Sequence, residues 1–187
     1  MNIIECIESR RSVRKYSDKK VESDVIKELL RLGTMAPTSL GKEPWGFVVI
    51  QDKEEINEWS EKTKEFLLKN LDKFPFLSKM EGVLKKPDFS LFNHAENVIA
   101  VYGDTESHSY VEDCTLATEN IVLAANSMDI GTCWIGFAQF LFNDEEFKTR
   151  YNVPENYKLV STLTLGYMIE RPAKPKRKEA IIFNETK

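Results

Sequence analysis

Histidine is scarce in this chain, cysteine is scattered and long apolar runs are missing. Each shortage removes a class of function. The two histidines, His94 and His108, have no ligand-type partners at metal spacing, so no metal site is expected. No Ser-His-Asp or Cys-His constellation for nucleophilic catalysis stands out either. Cys6, Cys114 and Cys133 are odd in number, widely spaced and free of any CxxC pair. That suits free thiols in a reducing cytoplasm rather than a disulfide framework. No N-terminal apolar segment resembles a signal peptide and no run is long enough to span a bilayer, so a membrane partner is not expected. Basic charge is also short: 26 Lys and Arg against 30 Asp and Glu leave a net charge of −4. General nucleic-acid binding usually needs a basic face, so no nucleic-acid partner is expected.

What is present describes a soluble globular protein, with 42% hydrophobic and 30% charged residues. A length of 187 residues suits a single domain over 1–187, or one protomer of an intertwined dimer. No internal repeat or low-complexity tract interrupts it. Asn2 to Ser9 reads as a short helix with Ile3, Ile4 and Ile7 on one face. Ser23 is the expected N-cap of a second helix, whose apolar positions are Val25, Ile26, Leu29, Leu30 and Leu32. A loop over Ala36 to Gly41 leads to a strand at Trp45 to Gln51. Asp52 with Glu55 opens a third helix to about Leu71. The Phe- and Lys-rich stretch Phe74 to Phe92 gives only a weak signal, for short helices or a lid. Val98 to Tyr102 is a second strand.

Tyr110 to Met128 reads as a long helix with apolar residues on several faces, which predicts a buried central helix. Gly131 is the expected left-handed stop after it. Asn143 with Glu146 opens a short helix ending before Pro154, and Leu159 to Tyr167 is a third strand. Beyond Pro172 and Pro175, the apolar run Ala180 to Phe183 is too short to form a hairpin alone. It is expected to add as a strand elsewhere, on another subunit included. Few strands among many helices give α+β or α/β, with one sheet flanked by helices.

Four local features carry chemistry. Arg10-Arg11-Ser12-Val13-Arg14 places three guanidiniums and a hydroxyl where the first helix ends, in an otherwise acidic chain. Arginine presents a planar fork of donors that matches phosphate, so the cluster looks like a grip on an anionic small molecule. Taken alone, a solvated helix end is the commoner reading. Ala36 to Trp45 (APTSLGKEPW) is a proline-bounded loop that can set amides and hydroxyls against a flat polar ligand. Gly131 to Gly136 (GTCWIG) lets backbone approach a ligand closely, although it is not a GxGxxG fingerprint. Lys176-Arg177-Lys178 reads alone as a solvated tail.

In this order, RRSVRKY, APTSLGKEPWGFVVI, the long helix with GTCWIG and the closing LGYMIERPAKPKR closely resemble the nitroreductase family of FMN-dependent oxidoreductases. The resemblance runs from about Asn2 to Phe183. It implies an α+β fold with a central, mostly antiparallel sheet flanked by helices, and a C-terminal strand exchanged within a homodimer that holds FMN at its interface. By position, Arg10, Ser12 and Arg14 fall where the family holds the FMN phosphate, ribityl chain and pyrimidine ring. Arg11 contributes through backbone or side chain. Pro37, Thr38 and Ser39 match the loop that reaches the flavin from the partner subunit. Ile135 and Gly136 match the segment whose backbone amide faces flavin N5. Arg177 matches a basic residue closing on the phosphate, with Lys174 or Lys176 as helper. Asn70 and Lys73 match only loosely a polar pair that some members place near the pyrimidine.

The implied activity is hydride transfer from NADH or NADPH to FMN, followed by reduction of a nitroaromatic, quinone or similar small acceptor in a second, ping-pong step. The cofactor supplies the redox chemistry, so no protein nucleophile is required, and Arg14 is the expected electrostatic support. The alternatives are a non-catalytic flavin-binding module for storage or sensing, or a specialised activity such as reductive dehalogenation or flavin fragmentation. Gly41 and Glu43 depart from the Asn and Gln that many members carry before Pro-Trp. That departure, with a short region between the second and third strands, leaves the acceptor open.

Overall fold

The structure, a computed structural model, describes residues 1–186. Its frame is an antiparallel sheet of four strands: β1 (Trp45–Ile50), β2 (Asn97–Asp104), β3 (Ile130–Trp134) and β4 (Tyr157–Tyr167). Their order is β1-β2-β4-β3, so β1 and β3 are the edges. Six helices flank the sheet: α1 (Ile3–Ser9), α2 (Ser23–Gly33), α3 (Lys53–Lys69), α4 (Glu81–Leu84), α5 (Tyr110–Ser127) and α6 (Glu145–Arg150). This is the expected α+β arrangement.

Central β2 shows why the sheet is covered on both faces. Val98, Ala100 and Tyr102 enter one core and Ile99 and Val101 the other, the period of two that a pleated strand imposes. The first core is aromatic: Trp59 of α3 packs against Phe142, Phe147 and Tyr151, and its Nε1 donates to the Tyr151 hydroxyl at 2.9 Å. The second core is aliphatic and is closed by α2 and α5. These two helices cross at Gly33, where an added Cβ would lie 2.7 Å from Ile121.

Several sequence expectations need correction. GTCW is a strand, the edge strand β3, which the Gly-flanked motif did not suggest. The left-handed residue after α5 is Asp129 (φ 58°), whereas Gly131 lies inside β3. The second helix is N-capped by Glu22, whose carbonyl accepts from Val25 and Ile26, with Ser23 already helical. Asn143 does not open α6, which follows Asp144; its side chain accepts from the Leu159 N–H instead and anchors β4. The long helix is buried along Cys114, Ala117, Ile121 and Ala125, but Val111 and Leu116 stay exposed. The all-round burial predicted for it is therefore not met within one protomer, because nothing among the described residues covers that outer stripe. Ala180 to Phe183 is not a strand here, and Ile181, Ile182 and Phe183 are exposed.

Candidate active site

The Arg-rich segment is held across one end of the sheet by backbone and by one tyrosine. After α1 the chain turns extended at Arg10. Ser12 then forms a parallel bridge with Thr132, Val13 N–H donates to the Thr132 carbonyl at 2.8 Å, and Tyr16 bridges Met168. The Tyr16 hydroxyl donates to the Val13 carbonyl at 2.7 Å and lies 2.8 Å from Thr164 Oγ1. Burial pushes the Tyr16 pKa up, so this hydroxyl keeps its proton.

Two glycines allow that approach. A Cβ at Gly131 would meet the Val13 side chain at 2.7 Å, and one at Gly166 would meet the Tyr16 ring at 2.7 Å. Gly131→Ala should therefore displace the stiff, buried Val13 and destabilise the fold by about 1–3 kcal/mol, as overpacking does. Gly82→Ala, where the added carbon meets open space, should cost nothing. Urea denaturation of both variants checks this; equal midpoints would refute the packing argument.

The docked segment lines two adjoining hollows. The first, of about 320 Å³, is lined by Arg10, Arg11, Ser12, Arg14 and Arg177, with the proline-containing arm around Pro172 and Pro175. The chain has seven arginines. Arg31, Arg150 and Arg171 each have a carboxylate partner. Among the described residues, the four without one are the four that line this hollow. No carboxylate lines it either. Arg11 is partly committed, its Nη1 donating to the carbonyls of Glu8 and Arg10 at 2.7 Å each. Arg10 faces Glu119 of α5, a carboxyl whose pKa is raised by desolvation while the Arg10 charge opposes. Such a hollow suits an anion of about two charges.

The second hollow, also about 320 Å³, shares Arg14 with the first. Met80, Phe89, Leu91 and Phe137 give it apolar walls, while Asn93, Cys133, Ile135 and Gly136 complete it. Burial pushes the Cys133 thiol up against the opposing charge of Arg14, so it is not a thiolate nucleophile. The Gly136 N–H opens a short 3₁₀ turn over Gly136–Phe140 and has no acceptor among the described residues. A Cβ at Gly136 would meet nothing within 4 Å, so the space beside its Cα is open.

Arg10, Arg11, Ser12, Arg14, Ile135, Gly136 and Arg177 are thus brought to two hollows that share Arg14. Pro37, Thr38 and Ser39 line neither hollow. Their loop is pinned to α5, where the Ser39 N–H donates to both carboxylate oxygens of buried Asp113 at 3.1 and 3.2 Å. Asn70 turns inward to cap α3, its Nδ2 donating to the Phe66 carbonyl at 2.7 Å, and neither it nor Lys73 lines a hollow. The stretch Phe74 to Phe92 supplies walls through Met80, Phe89 and Leu91, which sequence reasoning did not single out. Asn93 was missed altogether. Its only sign in the sequence is a polar pair between an aromatic run and a strand.

Comparison with known proteins agrees with this geometry. The Nitroreductase family model matches residues 7–167. A protein of Archaeoglobus fulgidus provisionally named an NADH dehydrogenase/NAD(P)H nitroreductase is 29% identical over 169 residues, covering 88% of this chain and 84% of its own. The crystal structure of a Bacteroides fragilis nitroreductase with bound FMN superposes with a TM-score of 0.81 at 28% identity, covering 100% of this chain and 98% of the other. The fold is shared more distantly with an iodotyrosine deiodinase bound to FMN and 3-iodo-L-tyrosine (TM-score 0.77, 20% identity, 99% of this chain and 100% of the other). The chain belongs to the Nitroreductase family.

Proposed function

We propose that this protein is an FMN-dependent oxidoreductase that takes electrons from NADH or NADPH and delivers them to a nitroaromatic, quinone or similar small acceptor. One observation carries the reading: Arg14 is shared by a carboxylate-free hollow lined by four arginines and a largely apolar hollow with an unpaired backbone N–H. A phosphate and a planar ring joined by a short chain fit that pair. When bound, FMN supplies the redox chemistry by accepting a hydride and passing electrons on in a second half-reaction. Arg10 and Arg177 hold the phosphate, with Ser12 and Arg11 beside them. Arg14 sets a positive charge at the junction with the ring. Gly136 offers its N–H to the edge of the ring where hydride arrives, and Ile135 and Phe137 keep water from that side. The open space beside Gly136 favours an enzyme over a storage or sensing module, in which that face would be blocked. The three cysteines are free and buried, which suits a reducing cytoplasm.

The site is completed by a second copy, with residues 1–187 acting as one domain of a homodimer. Pro37, Thr38 and Ser39, held away from their own cleft by Asp113, reach the partner's flavin. The exposed faces of α1 and α5 and the open edge of β1 form the interface, and Ala180 to Phe183 adds to the partner's sheet. Purified protein should be yellow, release FMN rather than FAD on denaturation, and bleach under NADH or NADPH. Colourless protein that takes up no added FMN would end this reading. Solution scattering should give a dimer burying well above about 2,000 Å²; a monodisperse monomer containing FMN would rule the shared site out.

A further inference from the structure

Two consecutive non-glycine residues, Asn93 (φ 55°) and His94 (φ 53°), adopt the left-handed conformation immediately before β2. The region is unfavourable for an ordinary residue, and such strain concentrates at functional sites. His94 contributes to the turn by a contact of 2.9 Å from its Nε2 to the Asp88 carbonyl. The Asn93 side chain does no such local work. Its carboxamide has no hydrogen-bond partner among the described residues, and it lines the second hollow with Arg14. Around the rest of that hollow, Arg14 offers donors only, Gly136 and the Trp134 ring offer one donor each, the Cys133 thiol is weak in both roles, and the other side chains are apolar. Asn93 alone carries a side-chain donor and a strong side-chain acceptor together.

We infer that Asn93 is the residue that orients the flavin ring, by pairing with its imide edge. The inference rests on the proposed FMN site. That edge presents carbonyl, N–H and carbonyl in sequence. A guanidinium matches the carbonyls but cannot accept from the N–H. A carboxamide can accept from the N–H and donate to a flanking carbonyl, leaving the other carbonyl to Arg14. Pairing of this kind discriminates one orientation of the ring, because a flipped ring would leave buried polar groups unmatched. Asn70, the residue that the resemblance offers for this end, is occupied in capping α3.

The competing account is that asparagine is there only because it tolerates a positive φ. Glycine tolerates that φ equally and lacks the amide, so Asn93→Gly separates the two. The probes are FMN and 3-methyl-FMN, whose imide nitrogen carries no hydrogen, titrated into apo-protein by fluorescence quenching. Wild type should bind FMN about five- to fiftyfold more tightly than 3-methyl-FMN, and Asn93→Gly should bind FMN weaker by a similar factor and lose the preference. Asn93→Asp, which can accept but not donate, should keep part of the preference. Unchanged FMN affinity and unchanged discrimination in Asn93→Gly would overturn the inference while leaving the FMN site intact. Wild-type protein that binds neither flavin would remove both the inference and the function on which it rests. Should Asn93→Gly unfold, the aspartate variant decides alone: full retention of FMN affinity and preference there overturns the donor half of the pairing.

Discussion

Removing Arg10 and Arg177 is expected to empty the cleft of FMN. Each guanidinium lines the first hollow and, among the described residues, neither is tied up in an ion pair before the ligand arrives. A charge-assisted contact to phosphate is worth roughly 1.5–3 kcal/mol, or about ten- to a hundredfold in affinity. Arg10→Ala and Arg177→Ala should each show that loss. The double variant should fall short of the product, since both act on one phosphate. Riboflavin, which lacks the phosphate, should bind all three variants as it binds wild type. Arg150→Ala is the control, because Arg150 is committed to Glu55 and Glu58. A riboflavin affinity that falls in parallel with that of FMN would mean that the arginines support the fold and not the phosphate.

Arg14→Gln should act differently, through the potential of the bound cofactor. Arg14 is the one arginine shared by both hollows, so its charge lies where the ring end begins. Reduction adds negative charge at that end, and a nearby cation favours the reduced state. Removing it should lower the midpoint potential. An interaction of about 1.4–3 kcal/mol corresponds to roughly 30–60 mV for a two-electron couple. Reduction by NAD(P)H should slow more than resting FMN affinity falls, because the lost interaction is stronger in the charged state. Potentiometric titration of Arg14→Gln beside Arg10→Ala decides the division of labour. If Arg10→Ala shifts the potential and Arg14→Gln does not, the two roles are reversed.

Five of the six helices and three of the four strands were legible because their apolar periodicity is strong and local. β3 was not, since a short edge strand flanked by glycines carries the pattern of a turn. Gly131 was read as a left-handed stop, but its small size serves Val13, a contact between segments remote in the chain. No local pattern encodes such a contact. The arginine cluster was legible as chemistry, whereas its convergence with Arg177 depended on resemblance rather than on any spacing rule. Asn93 was illegible for a third reason. Its value lies in an unpaired amide facing a hollow, and pairing is a property of the folded chain only.

The way the N-terminal arm is fastened has a consequence for the order of events during synthesis. Tyr16 is tied to Thr164, 148 residues further along, and Ser12 and Val13 to Thr132. The arginines leave the ribosome well before the surface that holds them, which is made from residues around Thr132 and Thr164. At about 5–20 residues per second, the arm waits roughly seven to thirty seconds without its support. Contacts so distant in sequence also close slowly, since loop entropy must be overcome before they form. Cofactor capture is therefore a late event, coupled to completion of β4 and the arrival of Arg177. Pulse-labelled nascent chains released before residue 130 should retain no flavin, however much FMN is supplied.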